Sequence, residues 1–418
     1  MVFRATAATG QSWLANGLVL AFPVLLLGVP RGSGVFLAAI LVGAILSFRG
    51  AGRILAEHGE WLKPLGLAIL AVGAVCLASK VYFDLEWSSL DNPSRILLAW
   101  LACLVILRYR PDSRWLWYGV PVAIALTLVI VSYQKLALGE ARPAAWVQPI
   151  AFGNMVAAFG LIGFVRPGQR AVDHLLGWGV LIAAVAILVV NGSRGAWLAL
   201  MVTTVVMLPV RHRHIRPVAF VALVAMLVAA AAALYALPDS PVAKRVDKVG
   251  QDIAQFKEGN PDSSTGARLL MWQLAASAVK EHPWTGVGLG RFSRLTRELP
   301  ACQASHKRHE FCLEHAHNDV MEALATTGIP GLLALMGMFL VPAALFWRLL
   351  RRSSDEHPVG LSLAAAGLAV VLTSVIGGLT QVTMAHQANI VFYAGTVGLL
   401  LGLAIVNQGK PRNNNESL

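Results

Sequence analysis

Charge is what this chain has least of. Asp, Glu, Lys and Arg make up 13% of its 418 residues, against roughly 25% in a water-soluble domain, and that shortage excludes a soluble protein of two or three domains. Apolar residues take the place of charge: 56% are hydrophobic and the mean hydropathy is +0.64. They do not alternate with polar residues, which excludes an outer-membrane barrel. They run instead in continuous blocks of about 17–23 residues, enough to cross a hydrocarbon core of about 30 Å as helices. The block interiors also lack charge; Asp173 and His174 lie close to a block end. A carrier needs ionisable groups near the bilayer midplane and paired broken helices, so a transporter is a poor fit. Cysteine is scarce too. Cys76 and Cys103 sit inside apolar blocks and read as small core residues, while Cys302 and Cys312 fall in polar sequence. No internal repeat stands out, and the first apolar block is too long for a cleavable signal peptide.

What is there is a polytopic all-α membrane protein. Twelve candidate spans can be marked, at 12–30, 33–48, 64–81, 95–108, 115–133, 146–165, 171–191, 196–210, 217–237, 328–347, 358–380 and 387–406. The block at 95–108 is short and needs tilt or help from its neighbours. The net charge of +12 points to membrane lipids rather than nucleic acid, because the cations sit in short loops between blocks. With the N-terminus in the cytoplasm, the basic clusters sort to one side: Arg49, Arg53 and Lys63; Arg108, Arg110 and Arg114; Arg166 and Arg170; Arg211, Arg213 and Arg216; Arg348, Arg351 and Arg352; and Arg4, Lys410 and Arg412 at the ends. The positive-inside rule then puts both termini in the cytoplasm and the long segment between the ninth and tenth spans outside.

The expected organisation is spans one to nine in 1–237, an outer catalytic loop in 238–327, spans ten to twelve in 328–408 and a disordered polar tail at 409–418. The loop region from Leu237 to Gly328 carries eleven of the 34 Lys and Arg residues. Within it, 242–257 has apolar residues at helical spacing and reads as an interfacial helix. A turn-rich N-P-D-S-S-T-G at 260–266 predicts a helix over about 267–281, ended by His282-Pro283. Cys302 and Cys312 outside the cell would most simply pair, stabilising by roughly 2–3 kcal/mol. Free thiols are the alternative, and a zinc site with His306 and His309 matches no standard spacing.

Three constellations carry chemistry. Arg194, in the turn N-G-S-R-G-A-W at 191–197, is either a snorkelling cation or, among glycine and serine amides, a phosphate ligand. Arg268 lies near the start of the loop helix, on one face with Trp272. A cation there opposes the helix dipole, which suits an external anion or, more plainly, a salt bridge with Asp262. His315, His317 and Asp319 come together before the tenth span. They are thin as a metal set, and an imidazole is a natural general base for a hydroxyl, although either histidine is as readily structural. The glycine run G-V-G-L-G at 286–290 lacks the strand and helix of a nucleotide loop and reads as a tight turn. Two arginines for an anion and a histidine for a proton fit transfer from a phosphate-activated, lipid-borne donor to a hydroxyl, with no metal or cofactor needed.

S-R-G at 193–195, G-A-R-L-L-M-W at 266–272, H-P-W-T-G-V-G-L-G-R-F at 282–292, H-N at 317–318 and G-I-P-G at 328–331 resemble the superfamily of O-antigen ligases, O-antigen polymerases and protein O-oligosaccharyltransferases. The resemblance covers nearly the whole chain, including one large loop between the ninth and tenth spans. It implies a GT-C-type fold in the bacterial inner membrane with a periplasmic site, and an undecaprenyl-diphosphate-linked glycan as donor. It also implies metal-independent transfer with inversion. By the same resemblance Arg194 and Arg268 would bind the diphosphate and His317 would deprotonate or orient the acceptor hydroxyl. His315 is a weaker candidate, and Trp272 and Arg291 join the substrate-binding set. A single dominant loop, and the absence of a soluble region after the last span, favour a ligase using lipid A–core as acceptor over a polymerase or a pilin-type transferase.

Overall fold

A computed structural model describes residues 10–168, 170–212, 215–236, 241–303, 311–353 and 358–408. Arg4, Arg213, His306, His309 and the tail from 409, with Lys410 and Arg412, lie outside these residues. Every regular element among the described residues is a helix: α1 Gly10–Gly28, α2 Gly32–Tyr82, α3 Asp91–Ser94, α4 Leu98–Tyr109, α5 Arg114–Leu136, α6 Pro149–Phe164, α7 Ala171–Asn191 and α8 Arg194–Arg211; then α9 Pro217–Ala236, α10 Pro241–Lys257, α11 Ser264–Glu281, α12 Ser293–Arg297, α13 Pro300–Gln303, α14 Asp319–Arg352, α15 Pro358–Gly378 and α16 Gln387–Val406. An all-helical fold follows from the apolar blocks, since in hydrocarbon a helix satisfies its own backbone groups. By length and composition, eight helices among the described residues are long and apolar enough to cross a membrane. Three shorter apolar helices, Trp13–Gly28, Pro149–Phe164 and Pro217–Met226, accompany them.

A helix overlaps each of the intervals marked from sequence, with three differences of detail. First, α2 is one 51-residue run with a kink at His58, where φ is −121° and ψ 20°. Its halves point in opposite directions. Gly50 packs on Arg108 at the end of α4, and Glu60 meets Arg348 and Arg352 at the end of α14, whereas Ser79 Oγ reaches the Leu289 amide of the long loop. Second, α4 has only 12 residues; the turns from Trp87 onward extend it to a 23-residue apolar unit, which accounts for the short block. Third, α14 starts at Asp319 rather than at the apolar residues and runs for 34 residues, about 51 Å at 1.5 Å per residue. That exceeds a hydrocarbon core of about 30 Å.

At the centre of the bundle α6 and α16 are buried along nearly their whole lengths. Small residues let the neighbours approach closely: Gly160 and Gly163 of α6 face Ala184 and Val180 of α7, and Gly398 and Gly402 of α16 face Ala99 and Ile106 of α4. The helix ends remote from the long loop gather basic side chains. There Arg211 donates to the carbonyls of Arg166 and Gly168 at 2.7 and 3.1 Å, and Arg348 and Arg352 share Glu60 beneath the Trp61 ring.

The long loop is tied to the bundle at the break in α14. Gly328, with φ 68° and ψ −162°, interrupts the helix, and Pro330 has no amide to give to the carbonyl four residues back. The carbonyls this leaves open, on Ala325 and Thr326, accept instead from Val287 and Gly288 at 2.9 and 3.0 Å. The Ile329 amide in turn donates to Pro283 at 2.8 Å. The motif at 282–292 is therefore a tight turn against the bundle, as its glycines suggested. Gly286 (φ 60°) has no room for a side chain, because a Cβ would lie 2.4 Å from the Thr326 backbone; Gly290 (φ 68°) faces open space. Gly290→Ala is expected to cost about 1–2 kcal/mol from the left-handed conformation alone. Gly286→Ala should cost more, since displaced backbone adds to it, and a lower thermal midpoint in detergent for the Gly286 variant checks the order.

Candidate active site

The site grows from the three residues that join the long loop to α14. His317 holds a left-handed backbone, φ 52°. Asn318 caps α14 by accepting from the amides of Val320 and Met321 at 2.9 and 3.2 Å, and its own amide donates to the Leu379 carbonyl at 3.1 Å. Asp319 is buried and spends its carboxylate on the loop between α15 and α16. It accepts from the Thr383 amide at 2.8 Å, the Thr383 hydroxyl at 2.5 Å and the Met384 amide at 3.2 Å. Asp319 thus acts as a clamp on that loop. The clamp carries Gln381 to His317, whose Nδ1 hydrogen-bonds Gln381 Oε1.

Their surroundings push the two histidines in opposite directions. The Glu322 carboxylate facing His315, with Oε1 3.6 Å from its Nδ1, raises that imidazole against the opposing effect of burial. Burial lowers the His317 pKa below the ordinary histidine value; the bond to Gln381 works against this, and the nearby charges of Arg268 and His315 add to the lowering. His317 is therefore the neutral imidazole near pH 7, and His315 is drawn into a pair with Glu322. The same Glu322 accepts from the Ala316 amide at 2.8 Å and so holds the segment between the histidines. His386, with its ring 6.2 Å from that of His315, is likewise lowered by burial and by the charge of His315.

The remaining predicted residues divide into those the fold brings to His317 and those it does not. Ser263 caps α11 by accepting from the Gly266 amide at 3.0 Å, and the helix starts three residues before the expected position. Met271, Ala275 and Ala278 of α11 are buried in a cluster with Ala325 of α14 and Phe292. This packing brings Arg268 near enough for its charge to act on His317 and lets Trp272 Nε1 donate to the Ala316 carbonyl at 3.1 Å. Arg194 is the exposed first residue of α8. The next residue, Gly195, abuts Thr380, where a Cβ would fall 2.2 Å from the hydroxyl, so the Arg194 turn touches the loop that presents Gln381. The Ser193 hydroxyl donates to the Pro149 carbonyl at 3.0 Å and accepts from Arg142 at 3.3 Å. Arg291 closes the glycine turn, its amide donating to Gly288 at 3.0 Å, and its side chain and Phe83 both pack against Gly288. Cys302 and Cys312 are joined in a disulfide.

Gln381 and Glu322 escaped sequence reasoning. A signal existed for the first: T-Q-V-T-M-A-H-Q at 380–387 is a polar interruption between two of the most apolar blocks. On the other side of the histidine segment lies a cavity of about 300 Å³. Val72, Cys76 and Met338 line its apolar part, and Ser89, His315 and Glu322 its polar part.

A multi-pass helical membrane protein with a basic, histidine-bearing site at one end of its bundle is the class these features define. Residues 178–336 match the family model described as O-antigen ligase, a segment holding every motif from Ser193 to Gly331. Among relatives, a Haemophilus influenzae protein described as uncharacterized is 25% identical over 313 residues, covering 73% of this chain and 77% of that one. The O-antigen ligase of Escherichia coli is 22% identical over 203 residues, 47% of this chain and 43% of its own. Residues 178–336 are thus similar to the O-antigen ligase family, and this similarity supports a ligase-type function in O-antigen processing.

Proposed function

We propose that the protein is an O-antigen ligase of the bacterial inner membrane. It transfers O-antigen polysaccharide from undecaprenyl diphosphate to a hydroxyl of lipid A–core, at a periplasmic site, by a GT-C-type, metal-independent and inverting reaction. The observation that carries this reading is the convergence around one loop: Gln381 holds His317, the charge of Arg268 reaches that histidine, and Gly195 seats the Arg194 turn on Thr380. The basic helix ends remote from the site support a cytoplasmic location for them and for both termini, with twelve spans across the membrane.

In this mechanism Arg194 and Arg268 grip the diphosphate and stabilise the charge it gains on leaving. His317 takes the proton of the acceptor hydroxyl as the acceptor oxygen attacks the anomeric carbon from the face opposite the diphosphate. The new C–O bond forms while the sugar–phosphate bond breaks, its electron pair going to undecaprenyl diphosphate. The cavity beside His315 offers room for hydrocarbon of a lipid substrate.

The test is transfer in vitro with purified protein, undecaprenyl-diphosphate glycan and lipid A–core, with EDTA present. Polymer-capped lipid A is expected. Longer glycan still on undecaprenyl diphosphate would make the protein a polymerase, transfer only to pilin-like protein would make it an oligosaccharyltransferase, and loss of product in EDTA would overturn metal independence.

A further inference from the structure

We propose that Gln381 is a positioning residue that fixes the tautomer of His317 and leaves Nε2 as the ring's hydrogen-bond acceptor. The inference rests on the proposed role of His317 as base, and it adds the residue that makes the ring fit for that role. Gln381 lies outside the segment that matches the ligase family, in the loop between α15 and α16.

The chemistry is one of donors and acceptors. A side-chain amide oxygen only accepts, so the ring nitrogen facing Gln381 Oε1 must donate. A neutral imidazole carries a single N–H, and with that proton on Nδ1 the lone pair is on Nε2. Had Nδ1 been the acceptor, Nε2 would bear the proton and could take none from a hydroxyl.

The position of Gln381 is enforced. Its side chain is buried, and its loop is fastened on both sides: the Thr380 hydroxyl donates to the Gly377 carbonyl at 3.0 Å, and Thr383 is held by Asp319. The choice of an amide over a carboxylate has its own consequence. Around His317 stand Arg268 on α11 and His315 on its own segment, which disfavour an imidazolium, and Glu322 on α14, which favours it. A neutral partner at 381 orients the ring without adding a second charge to hold a proton, so the ring starts the reaction unprotonated. When Nε2 receives the hydroxyl proton, Nδ1–H stays on Gln381 and the proton then leaves from Nε2 to water.

The first measurement is the 15N spectrum of the full-length, histidine-labelled protein in detergent, with His317 signals identified by their loss in His317→Asn. A protonated Nδ1 and an unprotonated Nε2 are expected, and a dominant Nε2–H form or an even mixture would overturn the proposal. Because this uses the native chain, misfolded variants cannot obscure it. Gln381→Leu is expected to lower kcat by on the order of 10–100-fold, the usual cost of losing a group that orients a working histidine, with KM for both substrates unchanged. Gln381→Glu, by placing a carboxylate against the ring, should move the low-pH limb of the rate profile up by about 1 pH unit or more. An unmoved limb in an active Gln381→Glu protein would reduce Gln381 to packing. If the spectrum is as expected while His317→Ala still transfers, the base role fails and the tautomer assignment stands.

Discussion

His317→Ala is expected to reduce transfer by about 10²–10⁴-fold, the range a lost general base commands, while the protein inserts and melts as before. The ring is half-buried, and its loop is held by other groups, through Asn318 to Leu379 and through Asp319 to Thr383 and Met384. The loss should therefore be one of chemistry. The pH profile of the native enzyme supplies the sign. A base whose pKa lies below the ordinary 6.5 of histidine stays unprotonated as pH falls through that value. The midpoint of the low-pH limb should lie below pH 6.5, along one protonation. His315→Ala removes a nearby positive group that depresses His317, so its limb should move to higher pH with a modest change in the plateau. A His315 variant as inactive as the His317 variant would assign the base to the wrong ring, and kcat/KM measured from pH 5 to 8 decides between them.

The fold was legible because its pattern is coarse. Continuous apolar blocks can only be helices in a membrane, and Ser263 and His282-Pro283 mark the ends of α11 by short-range chemistry that sequence displays. The kink inside α2 at His58 was not legible, since the backbone there stays helical on either side. α14 begins nine residues before the apolar block at 328–347, at the Asn318 cap, a start that the apolar pattern alone does not display. Arg194, Arg268 and His317 were proposed from local patterns. Gln381 was not, because a glutamine between spans gains meaning only from the clamp that brings residues 317 and 381 together. Asp319 shows the same limit from the other side: beside two histidines it resembles a ligand, yet its carboxylate is occupied by three donors from another loop.

The two arginines give the other large effect. Arg194→Ala and Arg268→Ala are each expected to lower kcat by about 10²–10³-fold, as when a preorganised donor to developing negative charge is removed. Each arginine sits near a helix start, as residue one of α8 and residue five of α11. A cation there is opposed by the helix dipole, so the placement benefits an anion that uses the amides and the guanidinium together. Lysine at either position keeps the charge and loses the bidentate fork, so partial recovery is expected from both lysine variants. Exposure makes Arg194 the cleaner probe of binding without stability, and its melting midpoint should not move. Arg268 is half-buried and its charge acts on His317, which predicts a second signature: without its charge the His317 imidazole is easier to protonate, and the low-pH limb of Arg268→Lys should stay while that of Arg268→Ala rises. If both arginines hold one diphosphate, the double alanine variant should lose less than the product of the single losses. Multiplicative losses would put the two guanidiniums on separate ligands and take the shared leaving group out of the mechanism.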